Sequence, residues 1–357
     1  MAVTGAGLEG IVAAESKICY IDGDEGILSY QGYNIHTLAD HATFEEVIYL
    51  LWYGRLPKQA ELDQLKAALA ANRAIPAEVT AFLKATGKCV PMDVLRTAVS
   101  MLSLYDPDEK DTSIEASERK AVRLMAQTST IVTTFDRLRK GQDVVASDST
   151  LSTAGNFLYT LTGKKPDEVM EHVFDIALTL HADHELNAST FAAGVAALKG
   201  PLHGGANEDV MKMLLEAGSA DKAMDMVKTR LANKIKIPGF GHRVYHTIDP
   251  RATHLSALSE ELGKRTGHVD LYLTSSRIEK YMKETKNLNA NVDFYSASTY
   301  YSLGIPIDLF TPIFAVSRMS GWTAHVLEQY RHNRLIRPRA EYIGTPVGQP
   351  WVPIAER

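Results

Sequence analysis

Histidine, aspartate and arginine fall at several places along the chain where their neighbours are glycine, proline or apolar residues. In IPGFGHRVYHTIDPRA, residues 237–252, Pro238, Gly239 and Gly241 suit a tight turn whose amides can approach an anion. His242 ends that turn and Arg251 follows Asp249-Pro250, so an imidazole and a guanidinium can meet a carbonyl lying beside a carboxylate. GPLHGGAN, 200–207, frames His203 with glycines that let backbone and imidazole crowd a ligand. NVDFYSAS, 291–298, starts an apolar helix at which Asp293 is partly desolvated, and desolvation raises a carboxyl pKa towards that of a useful base. AVSRMSGWTAHVLEQY, 315–330, puts Arg318 in a mostly apolar helix, where its charge needs an anionic partner. IRPRAEYIG adds Arg337 and Arg339 near the C-terminus.

Each stretch has a plainer reading: a glycine turn with surface basic residues, a core histidine at a helix end, an N-cap aspartate, or surface arginines beside a proline. HADHE, 181–185, also suggests a metal site. On a helix, however, 181 shares a face with 184 and 185 while 183 points away, which is a poor three-ligand set, so no metal is expected.

The elements that must position these residues are overwhelmingly helical. ICYIDGDEGILSY, 18–30, is the one expected hairpin, two β-prone runs around an Asp-Gly-Asp-Glu-Gly turn. Thr43 to Glu46 spell a capping box opening an apolar helix that stops at Gly54. KQAELDQLKAALA carries Leu62, Leu65 and Leu69 on one face. Further helices follow Pro91, run to Gly141, start in PDEVMEHVFDIALTLHAD, and continue through NEDVMKMLLEAG, ADKAMDMVKTRLANK, the stretch from Pro250 to about 267, and SSRIEKYMKETK. An amphipathic run covers about 308 to 330, and YDPDEKDTSIEASERK, 105–120, reads as a solvated loop entering a helix.

A 45% hydrophobic and 23% charged composition belongs to an ordinary globular protein with a sizeable core. The net charge of −5 gives no reason to expect nucleic acid or an anionic membrane, so an anionic ligand must meet a local cluster of Arg and His. Two distant cysteines, Cys19 and Cys89, offer no disulfide framework or cysteine metal site and fit a reducing cytoplasm. The N-terminus does not read as a signal peptide, and no apolar run approaches the roughly 20 residues that span a bilayer.

Taken together, HADHELNAST, GPLHGGAN, GFGHRVYHTIDPRA, NVDFYSAS and DLFTPIFAVSRMSGWTAHVLEQYRHNRLIRPRAEYIG resemble the citrate synthase family in its short bacterial form. The resemblance runs from GLEGIVAAES to the C-terminus, with the motifs in the family's order. It implies a mostly α, two-domain fold with a small N-terminal hairpin: a large domain of 1–205 and 301–357, and a small domain of 206–300 that closes over substrate. It also implies a homodimer that condenses oxaloacetate with acetyl-CoA as co-substrate, hydrolyses citryl-CoA, and carries no permanently bound cofactor.

Carried over residue by residue, Asp293 takes a proton from the acetyl methyl group. His203 donates to the thioester oxygen as charge develops there, and His242 polarises the ketone of oxaloacetate. His184, Arg251 and Arg318 hold oxaloacetate, with Arg337 supplied across the dimer; the planar fork of arginine pairs with carboxylate in two hydrogen bonds. Ile237, Pro238, Gly239, Phe240 and Gly241 line the CoA site, with Arg243 beside its phosphates.

One departure bears on this reading. His184 and His203 are nineteen positions apart, whereas in the family the two motifs lie roughly twice as far apart and a helical hairpin returns the second to the first. A single helix over 186–199 would hold them about 20 Å apart at roughly 1.5 Å per residue. A tight turn near Ala192–Gly194 would instead let AAGVAALKG run back. Two alternatives stay open: a 2-methylcitrate synthase using propionyl-CoA, which the quoted motifs do not separate from citrate synthase, and a catalytically silent homologue whose 185–202 segment is too short.

Overall fold

The computed structural model of the chain describes residues 15–185 and 205–334. His203, Arg337 and Arg339, and the segment on which the two histidine spacings were weighed, lie outside the described residues.

The expected hairpin forms and gains a strand. β1 (Cys19–Asp22) pairs antiparallel with β2 (Ile27–Tyr30), Tyr20 opposite Ser29, and β2 pairs with the two-residue β3 (Tyr33–Asn34). The turn is knotted by Asp22, whose Oδ1 accepts from the amides of Asp24 and Glu25 at 3.0 and 2.9 Å.

Everything else with regular structure among the described residues is helical. In chain order the α-helices are α1 (Ile35–His41), α2 (Phe44–Tyr53), α3 (Gln59–Ala71), α4 (Ala77–Ala85), α5 (Pro91–Leu102), α6 (Ile114–Arg139) and α7 (Thr153–Thr162). After them come α8 (Glu168–His181), α9 (Ala206–Ala217), α10 (Ala220–Ala232), α11 (Pro250–Thr266), α12 (Val269–Lys286), α13 (Val292–Ser302) and α14 (Phe310–Arg331). No described helix is long and apolar enough to cross a membrane.

Local chemistry sets many of these boundaries. The capping box of α2 is present, with Thr43 N–H donating to Glu46 Oε2 at 2.8 Å, and Gly54 ends the helix at φ 74°. Leu62, Leu65 and Leu69 are buried on one face of α3. The acidic stretch before α6 is more than a solvated loop. Arg123 bridges Asp106 at 2.8 Å and Asp108 at 2.6 Å, and Arg119 also grips Asp108, so the loop is latched to the helix it enters.

The sequence describes 308–330 as amphipathic; the structure corrects this. α14 is buried on nearly all sides from Phe310 to Leu327, because its polar positions are small serines, threonines and a glycine that neighbouring helices accommodate. It packs against α2, α6 and α8. Gly321 sits at the tightest of these crossings: its amide donates to Ala182 O at 3.1 Å, and a Cβ there would stand 2.2 Å from Asp183 Oδ1 and 2.5 Å from Ala182 O. α11 and α13 pack together, with α9 against α13, and this second group carries the other residues of interest.

The Gly321 crossing yields a stability prediction. Gly321→Ala forces the α8 end away from α14, and overpacking of this kind costs about 1–3 kcal/mol. A thermal unfolding midpoint equal to that of the unsubstituted protein would refute the close approach.

Candidate active site

The HADHE segment is not a helical face. α8 ends at His181, and residues 182–185 leave it as irregular chain, Ala182 still in the right-handed helical region and Glu185 at φ 58°. The ligand geometry weighed on a helix therefore does not arise. His181 is fully buried with Nδ1 2.7 Å from Ala177 O, and Asp183 is buried with Oδ2 3.2 Å from His325 Nε2. Among the described residues no group of three His, Cys, Asp or Glu is placed to hold a metal ion.

The carbonyls that the end of α8 leaves unbonded are taken up by tertiary partners. On one side, α14 supplies Ser317 Oγ to Leu178 O, Arg318 Nε to His181 O at 2.8 Å, and Ser320 Oγ to Ala182 O at 3.3 Å. On the other, Tyr30 of β2 lies with its hydroxyl 3.0 Å from Asp183 O and 3.2 Å from Asp183 N. His184 emerges from this grip with its ring 5.4 Å from that of His242 and 5.6 Å from that of Tyr245, centroid to centroid.

His242 arrives from the glycine loop. Gly239 has φ +81°, and a Cβ there would meet Phe294 and Val210 at 2.8 Å, so only glycine lets the loop lie this close to α13 and α9. Asn291 fastens the loop: its amide donates to Gly239 O and its Nδ2 to Gly241 O, both at 2.9 Å. Phe240 bridges Ala290 and lies tilted against Phe294, ring centroids 4.6 Å apart. Beyond His242 the chain rests on the hairpin turn, His246 N–H donating to Gly23 O at 2.9 Å, where a Cβ on Gly23 would collide with Val244 O.

This loop decides the tautomer of His242. Its Nδ1 accepts from the amides of Val244 and Tyr245 at 3.0 and 3.1 Å. Burial, helped by the Arg251 charge, pulls its pKa down to about 4, so at neutral pH the ring is uncharged and carries its proton on Nε2. His184 is held neutral in the same way, by burial first and then by Arg251, Arg318 and His242.

The two arginines differ. Arg251 is buried and forks onto Asp249, Nε to Oδ1 and Nη2 to Oδ2, both at 2.9 Å. Asp249 Oδ2 also accepts from Val292 N–H at 3.1 Å, tying this pair to the first turn of α13. Arg318 is equally buried, lies 4.6 Å over the Phe314 ring, and presents an Nη2 with no hydrogen-bond partner among the described residues. Its pKa is lowered by burial, against the pull of Asp183, which is the signature of a cation short of an anion.

Asp293 is the second residue of α13. Asn291, not Asp293, is the N-cap, accepting from Asp293 N–H at 3.0 Å. Burial raises the Asp293 carboxyl to about 6, with Arg251 opposing and Asp249 adding to the shift. The chain on either side of Asp293 is fixed to the His242 loop through Asn291 and to the Asp249–Arg251 pair through Val292.

Elements distant in sequence thus gather His184, His242, Arg251, Arg318 and Asp293 around one region. Of the loop residues, Ile237 and Gly239 are buried, Pro238, Phe240 and Gly241 half-buried, and Arg243 is exposed. Two members of the cluster are not singled out by the sequence. Tyr245 lies between His184, His242 and Arg251, its ring 4.8 Å from His242 and 5.8 Å from the Arg251 guanidinium. Asp249 is the partner of Arg251. Asp249 reads as punctuation before Pro250, and Tyr245 reads as one apolar residue of a loop; the only signal was their place between His242 and Arg251.

A neutral imidazole donor, an unsatisfied buried guanidinium and a carboxyl poised near neutrality suit proton abstraction beside a carbonyl in an anionic substrate. The family described as "Citrate synthase, C-terminal domain" matches residues 7–339. "Citrate synthase 2" of Bacillus subtilis is 50% identical over 369 aligned positions, covering 98% of each chain. Among solved structures, citrate synthase from Pyrobaculum aerophilum superposes with a TM-score of 0.91 at 38% identity, over 98% of this chain and 95% of that one. A second, citrate synthase from Thermoplasma acidophilum in a ternary complex with carboxymethyl coenzyme A and oxaloacetate, has a TM-score of 0.91 at 31% identity over 98% of both chains. This chain belongs to the citrate synthase family and is an enzyme of that family, mostly α-helical with one small sheet.

The raised pKa of Asp293 can be read directly. In ¹³C-carboxyl NMR of the unliganded protein, the resonance lost in Asp293→Asn should titrate near pH 6. A midpoint at or below 4 would mean that the carboxyl is solvated and not poised as a base.

Proposed function

We propose that this enzyme condenses oxaloacetate with acetyl-CoA and hydrolyses the resulting citryl-CoA to citrate and CoA. The observation that carries the reading is one region that holds an uncharged His242 with its proton on Nε2, the Asp293 carboxyl raised to about 6, and Arg318, whose buried Nη2 has no hydrogen-bond partner among the described residues. Oxaloacetate supplies what this site lacks. A carboxylate of the substrate takes the free edge of Arg318, with His184 and Arg251 beside it, and the ketone oxygen accepts from His242 Nε2. Asp293, ionised above about pH 6, removes a proton from the acetyl methyl group. The carbanion attacks the ketone, whose oxygen gains charge as the bond forms and draws a proton from His242.

His203 completes the proposal as donor to the thioester oxygen, and Arg337 as an oxaloacetate ligand from the second subunit of a homodimer. Ile237, Pro238, Gly239, Phe240 and Gly241 line the CoA side, with Arg243 at its phosphates. In this reading the protein is cytoplasmic, needs no resident cofactor, and its small domain covers 206–300.

The test is thiol release from acetyl-CoA, with propionyl-CoA in parallel. Release that depends on oxaloacetate and favours acetyl-CoA is expected. A preference for propionyl-CoA would reassign the enzyme to 2-methylcitrate synthesis, and no release from folded protein with either thioester would make it a silent homologue. Asp293→Ala should abolish condensation while leaving the Kd for oxaloacetate within a few-fold; near-normal turnover would remove Asp293 as the base.

A further inference from the structure

We infer that Tyr30, Asp183 and His325 form a clamp that positions His184 for oxaloacetate, an inference that rests on the substrate-binding role proposed for His184. None of the three is among the groups proposed to touch substrate. Together they hold the residue before His184 by its backbone and by its side chain.

Tyr30 is fully buried in β2, and its hydroxyl satisfies both polar groups of the Asp183 backbone, donating to the carbonyl at 3.0 Å and accepting from the amide at 3.2 Å. On the other side, the buried Asp183 carboxylate meets His325 of α14 through Oδ2 at 3.2 Å, with Gly321 packed directly beneath it. A buried carboxylate placed beside an imidazole is a costly arrangement to leave unmade, so it holds one geometry. With Asp183 fixed at backbone and side chain, little freedom remains in the single peptide link to His184.

The same hairpin steadies the other imidazole. The Gly23 carbonyl in the β1–β2 turn accepts from His246 N–H, in the segment whose amides hold His242 Nδ1. Tyr30 at one end of β2 and Gly23 at the turn therefore set the two histidine rings against each other at 5.4 Å.

The test reads KM for oxaloacetate apart from kcat, since a mispositioned ground-state ligand raises KM alone. Tyr30→Phe keeps the ring and removes the hydroxyl; it should raise this KM about five- to twentyfold, the range for one lost buried hydrogen bond. kcat and the KM for acetyl-CoA should stay within about twofold. His325→Leu should have a similar effect, and His325→Gln, which keeps a donor near the Nε2 position, should restore most of it. In a His184→Ala background, Tyr30→Phe should add almost nothing, because the clamp then has nothing to place.

Tyr30→Phe or His325→Leu lowering the unfolding temperature with KM unchanged, or adding in full to His184→Ala, would make these residues structural only and overturn the clamp. His184→Ala with an unchanged KM for oxaloacetate would overturn the role of His184 and the clamp with it. A raised KM in His184→Ala beside an unmoved Tyr30→Phe would leave that role standing and remove the clamp alone.

Discussion

The last turn of α8 leaves its carbonyls without helical partners inside the protein, where an unpaired backbone oxygen is expensive. Its surroundings answer this one constraint. Ser317, Arg318 and Ser320 of α14 reach the carbonyls of Leu178, His181 and Ala182, and Gly321 lets the two backbones touch. Tyr30 takes what lies beyond. Arg318 is held by Nε for a structural reason, and its buried Nη2 is left without a hydrogen-bond partner among the described residues. The packing of one helix end and the creation of an anion site are here the same event.

The electrostatics of the site follow from which charges are matched. Asp249 neutralises Arg251 and uses its remaining capacity on the amide of Val292, so Arg251 is rigid before any ligand arrives. Burial first, then Arg251 at both rings and Arg318 at His184, makes protonation of the two imidazoles unfavourable, and the amides at His242 Nδ1 settle which nitrogen keeps the proton. Burial acts in the opposite sense on Asp293, favouring the neutral acid until about pH 6. One desolvated environment thus produces neutral hydrogen-bond donors from histidine and a usable base from aspartate.

Glycines and a small sheet supply the geometry that the helices alone do not. Gly239 permits an approach to Phe294 and Val210 that a Cβ would block, and Asn291 converts that approach into fixed hydrogen bonds. The three-stranded sheet lies at the start of the described chain but touches both histidine segments, by Tyr30 and by Gly23. Its role comes from its position between two parts of the site rather than from its size.

The helical elements, the capping box at Thr43 and Glu46 and the hairpin at 18–30 were legible in the sequence, as were His242, Arg251, Asp293 and Arg318 as candidates for chemistry, with His184 added by the family resemblance. These are local matters of periodicity, turn chemistry and residue type, sharpened by motifs in a family's order. Tertiary packing decided that α8 stops at His181, so that 182–185 is irregular chain and not the helical face the sequence suggests. It also decided that α14 is buried on nearly all sides from Phe310 to Leu327, that Asp249 belongs to Arg251 and α13 together, and that Tyr245 stands among the site residues. Each of these depends on which distant groups meet a buried carbonyl, carboxylate or guanidinium. Such pairings are set by long-range packing and desolvation, and they leave no period or spacing in the chain.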